Sequence, residues 1–337
     1  MKVLAIGSTG FIGRHVVPIL VKQGMEVAVL HRGKTNADFA DGVNRILGNR
    51  DRLDDVRTEL ERFAPDVVLD AILYSEQQAR ATIKAFRGNA GRVVALSSAD
   101  VYRNYDGFRG KETAQPDAVP LAEDAPLRDT RYPYRGTGLP FEHADDYDKI
   151  IVEQIILSEP QLPATLLRLP AVYGPGDPQH RLRPYLRRML DGRRGILLQH
   201  EQADWRWSRG YVINVAAAIA LAVADVRAVS RIFNVGDEPV LSERAWVERI
   251  GAAAAWTGRV VAVSASELPA HLRQPFDWRY ELWIDTSSIR DDLGYVEPIP
   301  LNEALERTVA WELSTVDGTE PPNYGDEDAA LQLKLSD

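Results

Sequence analysis

The sequence contains no cysteine, which excludes disulfides, thiolate nucleophiles and zinc–cysteine centres. Its six histidines, His15, His31, His143, His180, His200 and His271, show no paired spacing that would bring two imidazoles to one ion, so no metal site is expected. No apolar run approaches the roughly twenty residues of a membrane span. The first such run stops at Gly7, too early for a secretory segment. A surplus of positive charge is also lacking: the net charge is −9, and basic residues are interspersed with acids, which argues against a nucleic-acid partner. The expectations are a cytoplasmic protein with neither a membrane nor a nucleic-acid partner. One basic cluster, His180, Arg181, Arg183, Arg187, Arg188, Arg193 and Arg194, reads as a solvated helix face, with an anion site as the alternative.

What is present is ordinary globular composition, 45% hydrophobic and 26% charged, in 337 residues, enough for two lobes. The informative stretch is the first thirteen residues, MKVLAIGSTGFIG. Val3 to Ile6 form a short apolar run of the kind a doubly covered strand shows, and Phe11, Ile12, Val16, Val17, Ile19 and Leu20 then recur at helical spacing. Between them Gly7, Gly10 and Gly13 stand three residues apart. A strand turning this sharply into a helix needs Gly7 to free the backbone, Gly10 to let a pyrophosphate approach and Gly13 to let helix and strand pack. The exposed N–H groups of the helix start then bind the anion. This predicts a dinucleotide site over Gly7, Thr9, Gly10, Phe11, Ile12 and Gly13.

A second apolar run, Val27 to Leu30, ends in His31-Arg32-Gly33-Lys34. An acid at this point would bind a ribose 2′-hydroxyl, whereas bases accommodate a 2′-phosphate, so Arg32 and Lys34 favour NADP, with NAD possible. Further strands are predicted at Asn44–Leu47, Val67–Leu73, Arg92–Leu96, Thr165–Leu169, Ile232–Val235 and Arg259–Val263. Helices are predicted at Asp55–Phe63, Gln77–Phe86, Lys149–Leu157, Leu182–Leu190, Ala216–Val226, Glu243–Trp256 and Leu301–Leu313, with Gly210–Val215 extended. Strands alternating with helices predict an α/β fold, a doubly wound parallel sheet (Rossmann) with a smaller C-terminal substrate-binding lobe. Residues 1–170 would form the dinucleotide-binding domain, with 209–236 returning to it; 171–208 and 237–313 would form the substrate lobe. Residues 103–146, rich in Pro, Gly, Asp and Arg, read as an inserted lid, and 314–337 as a mobile tail. Ligands of such sheets sit at the carboxyl ends of the strands, which places Tyr74, Ser97 and Ser98 at the site.

With these segments placed, the sequence resembles the short-chain dehydrogenase/reductase superfamily in its extended, NAD-dependent epimerase/dehydratase-like branch. The resemblance rests on Gly7–Gly13, Ser97-Ser98-Ala99-Asp100-Val101-Tyr102, Lys149–Gln154, Leu167-Arg168, Val172–Gly176, Arg209-Gly210-Tyr211-Val212, Phe233-Asn234-Val235 and Asp285–Tyr295. It implies a serine that binds the substrate oxygen, a tyrosine that exchanges its proton, and a lysine that holds the nicotinamide ribose and lowers the tyrosine pKa. Ser98 and Lys149 match the serine and the lysine. The branch also implies a homodimer formed through the helices Gln77–Phe86 and Lys149–Leu157.

The tyrosine departs from the pattern, because Asp145 occupies the position four residues before Lys149. Tyr147 ranks first as its replacement, directed by a helix start at Asp145 or Asp146, and Tyr134 in Pro133-Tyr134-Arg135-Gly136 ranks second. A carboxylate acid/base at Asp145 is the third alternative. The expected function is hydride transfer to or from a carbonyl or secondary alcohol of a small polar, sugar-like metabolite. The rival is a redox-inactive cofactor sensor or RNA-associated relative. Trp205, Arg206, Trp207 and Arg209 suit either a substrate ring or the core.

Overall fold

A computed structural model of the chain describes residues 1–34, 39, 42–315 and 322–335, with side chains to residue 332. The N-terminal half consists of strands β1 (Lys2–Ile6), β2 (Glu26–His31), β3 (Asn44–Leu47), β4 (Val67–Asp70), β5 (Arg92–Ser98) and β6 (Ala164–Leu169). Between them run helices α1 (Gly13–Lys22), α2 (Arg57–Phe63), α3 (Glu76–Phe86), α4 (Arg103–Phe108) and α5 (Lys149–Leu157). There follow β7 (Ala171–Tyr173), α6 (Arg183–Leu190), β8 (Gly195–Gln199), α7 (His200–Asp204), β9 (Arg209–Tyr211), α8 (Val212–Ala224) and β10 (Ile232–Asn234). The chain continues through α9 (Glu243–Ala253), β11 (Arg259–Val263), α10 (Ser287–Leu293), α11 (Leu301–Ser314) and α12 (Gly325–Leu335).

Alternation along each strand fixes which helix covers which face. Val3, Ala5, Val27 and Val29 pack with Val16, Val17 and Leu20 of α1 and with α8, whereas Leu4, Ile6, Ala28 and Leu30 pack with Leu60, Phe86, Val152 and Ile156. The result is one seven-stranded parallel sheet in the order β3-β2-β1-β4-β5-β6-β10. Strand order reverses between β1 and β4, which opens a crevice at their carboxyl ends, where Ile6 pairs with Asp70. A smaller lobe carries the parallel pair β8–β11 and a hydrophobic core of Phe108, Trp205, Tyr280 and Leu282. No helix among the described residues is long and apolar enough to cross a membrane.

Several segments differ from the sequence expectation. The helix expected from Asp55 starts as a 3-10 turn, Arg50–Val56, and becomes α-helical only at Arg57. Gly210–Val215 is not one extended segment: β9 ends at Tyr211 and α8 begins at Val212, because the alanine-rich helix extends one turn further toward its N-terminus. The strand expected to Leu73 ends at Asp70, whose carboxylate accepts the N–H of Ile72 at 3.2 Å and turns the chain. Strands β7 and β8 and helices α7 and α10 were too short or too weakly patterned to read.

The expected mobile tail also needs correcting over part of its length. Helix α12 lies within 314–337, with Leu331 only 5% exposed beside Gly195, and Tyr324 and Glu327 buried. Glu327 takes both oxygens to Arg188, Asp328 pairs with Arg193, and Glu312 of α11 pairs with Arg183. The basic cluster is therefore paired with acids, Arg183, Arg188 and Arg193 with the C-terminal Glu312, Glu327 and Asp328 and Arg181 and Arg187 with Asp177 and Asp191, and Arg188 and Arg193 are mostly covered rather than forming a solvated face. Anion binding by these paired arginines would have to break the pairs.

Candidate active site

The glycine turn separates two roles. A Cβ on Gly13 would fall 2.2 Å from Ser8 Cα, and one on Gly7, whose φ is +73°, 2.6 Å from Ile72. Both glycines are demanded by the fold itself. A Cβ on Gly10 would meet nothing nearer than the Gly7 carbonyl at 3.7 Å, so no protein atom requires that glycine. Gly10 is bare on a face open to a ligand, at the start of a ten-residue helix. Gly7, Thr9, Gly10, Arg32, Lys34 and Tyr74 line one cleft, joined by Asn49, Asp51, Gln78 and Glu142. Phe11 and Ile12 are instead half-buried against the core below, and they contribute through the backbone of the turn. The cleft therefore fits a dinucleotide.

Next to it is a second cleft of about 770 Å³, lined by Tyr74, Ser98, Asp100, Tyr105, Tyr134, Phe141, Tyr147 and Trp207. Tyr74 and Phe141 border both. Asp100, absent from the sequence candidates, is the centre of this site. Its side chain is buried, and Oδ2 accepts the hydroxyls of Tyr147 at 2.8 Å and of Tyr134 at 3.0 Å, while Oδ1 is buried with no protein partner. Tyr134 in turn contacts the Tyr105 hydroxyl at 3.1 Å. The two ranked tyrosines are thus not alternatives but two donors to one carboxylate. The available signal was an acid in the short turn that follows β5.

Burial raises the pKa of Asp100, against the Arg128 charge and the two phenol hydrogen bonds. Burial and the Asp100 charge also hold the Tyr147 phenol well above 10, with a hydrogen bond to Ser98 acting the other way. Ser98 accepts the N–H of Asp100 at 3.2 Å, which fixes the start of the turn after β5.

Helix α5 spans Lys149–Leu157 as expected, but its cap is not the one anticipated. Its N-cap is Asp148, which accepts from the N–H groups of Ile150 and Ile151, and neither Asp145 nor Asp146 takes that role. Asp145 accepts the Gly136 N–H at the surface, away from the buried cluster, so the structure does not place it as an acid/base. Lys149 is buried and lines neither cleft. Its ammonium donates to the carbonyls of Leu73 at 2.8 Å and Leu96 at 2.7 Å, and lies 4.7 Å from the centre of the Tyr74 ring. Burial lowers its pKa to about 8, opposed by the charges of Asp100, Asp70 and Glu153.

The 103–146 segment is built into this site rather than laid over it. Arg128, fully buried, donates to the Asp100 carbonyl at 2.9 Å and to Asp148 at 3.2 Å, and the Tyr132 N–H donates to Asp148 at 2.8 Å. One stretch therefore orients both the carboxylate's backbone and the cap that aims Tyr147. Ser97 is structural: it donates to Glu153, which forms a buried two-oxygen pair with Arg168, and Arg168 reaches the Tyr102 hydroxyl. In the smaller lobe, Trp205 is buried and donates to the Tyr280 carbonyl, Arg206 stacks on Trp283, and Arg209 pairs with Glu243, so of the four only Trp207 faces the cleft. Among the described residues Asp51, Glu142 and His143 bring ligand atoms within 4.8 Å of one another, a group that could hold a metal.

Comparison with known proteins decides the family. The sequence pattern of the NAD dependent epimerase/dehydratase family matches residues 3–236. The chain belongs to that family. Solved structures with this architecture include the UDP-glucose 4-epimerase of Thermus thermophilus in complex with NAD, at TM-score 0.66 and 21% identity over 94% of this chain and all (100%) of that one. The dTDP-glucose 4,6-dehydratase of Bacillus anthracis in complex with NAD matches at TM-score 0.65 and 17% identity over 94% and 97%. At these identities the likeness is one of fold. The chloroplast stem-loop binding protein of 41 kDa b from Arabidopsis thaliana is 32% identical over 118 residues, 31% of this chain. The match spans 31% of the length of that curated relative. In this chain Asp145 stands four residues before Lys149 and Tyr147 two.

Proposed function

We propose that the protein is a nicotinamide-dependent oxidoreductase or epimerase that acts on a carbonyl or secondary alcohol of a small, sugar-like ring metabolite. The observation that carries this is the pair of phenols donating to Asp100 Oδ2 in a cleft contiguous with the glycine turn. A bound dinucleotide would supply the hydride acceptor, held by Gly7, Gly10 and the start of α1. Ser98 orients the substrate oxygen. Tyr147 takes the substrate proton as it passes its own to Asp100, so that no free phenolate forms beside the carboxylate. Lys149 acts from beneath the rings, its charge stabilising the ionised dyad. NAD is the form named with the related structures, and Arg32 with Lys34 supports the NADP alternative. The resemblance to the extended branch implies a homodimer through α3 and α5, which sedimentation of the purified protein would test.

The test is to screen ring alcohols and ketones by the absorbance of the reduced nicotinamide, with Asp100→Asn beside the wild type. A loss of about 10²-fold or more in turnover with nucleotide affinity retained is expected. Full turnover in Asp100→Asn would overturn the reading.

A second reading follows from the stem-loop binding relative: an RNA-associated protein without hydride chemistry. It predicts RNA affinity that falls steeply with salt. The net charge of −9 opposes it.

A further inference from the structure

The end of β2 is where a dinucleotide fold reads the adenosine ribose, and this chain presents bases there. The structure adds a feature that comes from 110 residues away in sequence. Glu142, at the tip of the 103–146 segment, reaches across the cleft mouth and receives Arg32 Nη1 on both carboxylate oxygens, at 2.9 and 2.7 Å. Both side chains remain half open to solvent. The neighbouring His143 lies 3.4 Å from Asp51 and within 3.3 Å of Gln78, so the tip is fastened at two points beside the glycine turn. Phe141, one residue earlier, packs its edge on Tyr147.

We propose that Glu142 is the residue that sets cofactor choice, and that it selects NAD over NADP. The inference rests on the dinucleotide reading above and deepens it. A carboxylate at the end of β2 is an acceptor that a free ribose hydroxyl can use. A 2′-phosphate would have to displace it from Arg32 and then sit next to it, where the two negative charges repel across a partly solvated, salt-screened gap. Arg32 is therefore neutralised for phosphate recognition. Lys34, exposed on the same rim, is a compact charge on a flexible stem and does not replace a guanidinium fork. The acid of the NAD-binding pattern is thus supplied by the inserted segment, not by β2.

The experiment is fluorescence titration of the purified full chain with NADH and NADPH, for wild type, Glu142→Gln and the double variant Glu142→Gln/Arg32→Ala, at low and high salt. The expected result is wild-type preference for NADH, a shift of about tenfold toward NADPH in Glu142→Gln that shrinks with salt, and loss of that gain in the double variant. Equal changes for both nucleotides in Glu142→Gln would reduce the pair to a surface pin and overturn the proposal. Wild-type preference for NADPH would overturn it as well. Binding of neither nucleotide by a folded wild type would instead bring down the cofactor reading on which it rests.

Discussion

The ammonium of Lys149 lies 5.8 Å from the centre of the Tyr147 ring, although two positions along a regular helix point in directions about 200° apart. The two side chains meet because Tyr147 is not helical. It precedes the Asp148 cap with φ −67° and ψ 120°, and it bridges to Ser75, so its direction is set by an extended backbone rather than by helix periodicity.

This arrangement makes a prediction about pH. The Lys149 pKa is lowered in the folded state, to about 8, mainly by burial, while the unfolded side chain titrates near 10.4. Between those values the unfolded chain binds the extra proton, so this group makes stability rise with pH across the window. The difference in unfolding free energy between wild type and Lys149→Met should therefore move in favour of wild type from about pH 8 to pH 10. Denaturant melts at stepped pH would measure it. A flat difference would mean that Lys149 is not buried as an ammonium.

Much of the fold was legible because parallel strands covered on both faces must be apolar along their whole length. Val3–Ile6, Val27–Leu30 and the glycine spacing are therefore visible without partners. The candidate site was legible where a motif marks it, at Gly7, Gly10, Ser98 and Lys149. It was not legible at Asp100, Arg128 and Glu142, whose roles come from contacts made across 20 to 110 residues of chain. Helix α12 was read as a tail for a related reason. Its acids look like solvated charge until Arg188 and Arg193 are seen opposite them.

The glycine turn offers a test that separates ligand from fold. Gly13→Ala would drive a methyl into the Ser8 backbone and should lower stability by a few kcal/mol, about 1–3 by analogy with overpacked cores. Gly10→Ala finds room and should change stability by less than about 1 kcal/mol. Yet only Gly10→Ala puts its methyl on the ligand side, so it should weaken nucleotide binding by an order of magnitude or more in a fully folded protein, about 1.4 kcal/mol per tenfold. Paired thermal melts and NADH titrations would check both. Unchanged binding in Gly10→Ala would show that the open face is not where the pyrophosphate lies.

Helix α12 makes the last prediction. The Glu327 side chain is 2% exposed, pairs with Arg188 and contacts His271 at 2.9 Å. Burial acts to raise its pKa, but the hydrogen bonds from Arg188 and His271 outweigh it and hold the carboxyl below its ordinary value. The sign follows: stability from this group is present above the unfolded carboxyl pKa and is lost as pH falls through the lowered folded value. Glu327→Ala leaves Arg188 without its acid on a mostly buried surface and should cost about 2–4 kcal/mol near neutral pH, less than that once the wild-type carboxyl is itself protonated. Melting wild type and Glu327→Ala side by side from neutral pH to below about pH 4 should show the gap closing. A gap that stays constant would assign the loss to packing around Leu331 rather than to the ion pair, and no gap at all would mean that α12 is not held down through Glu327.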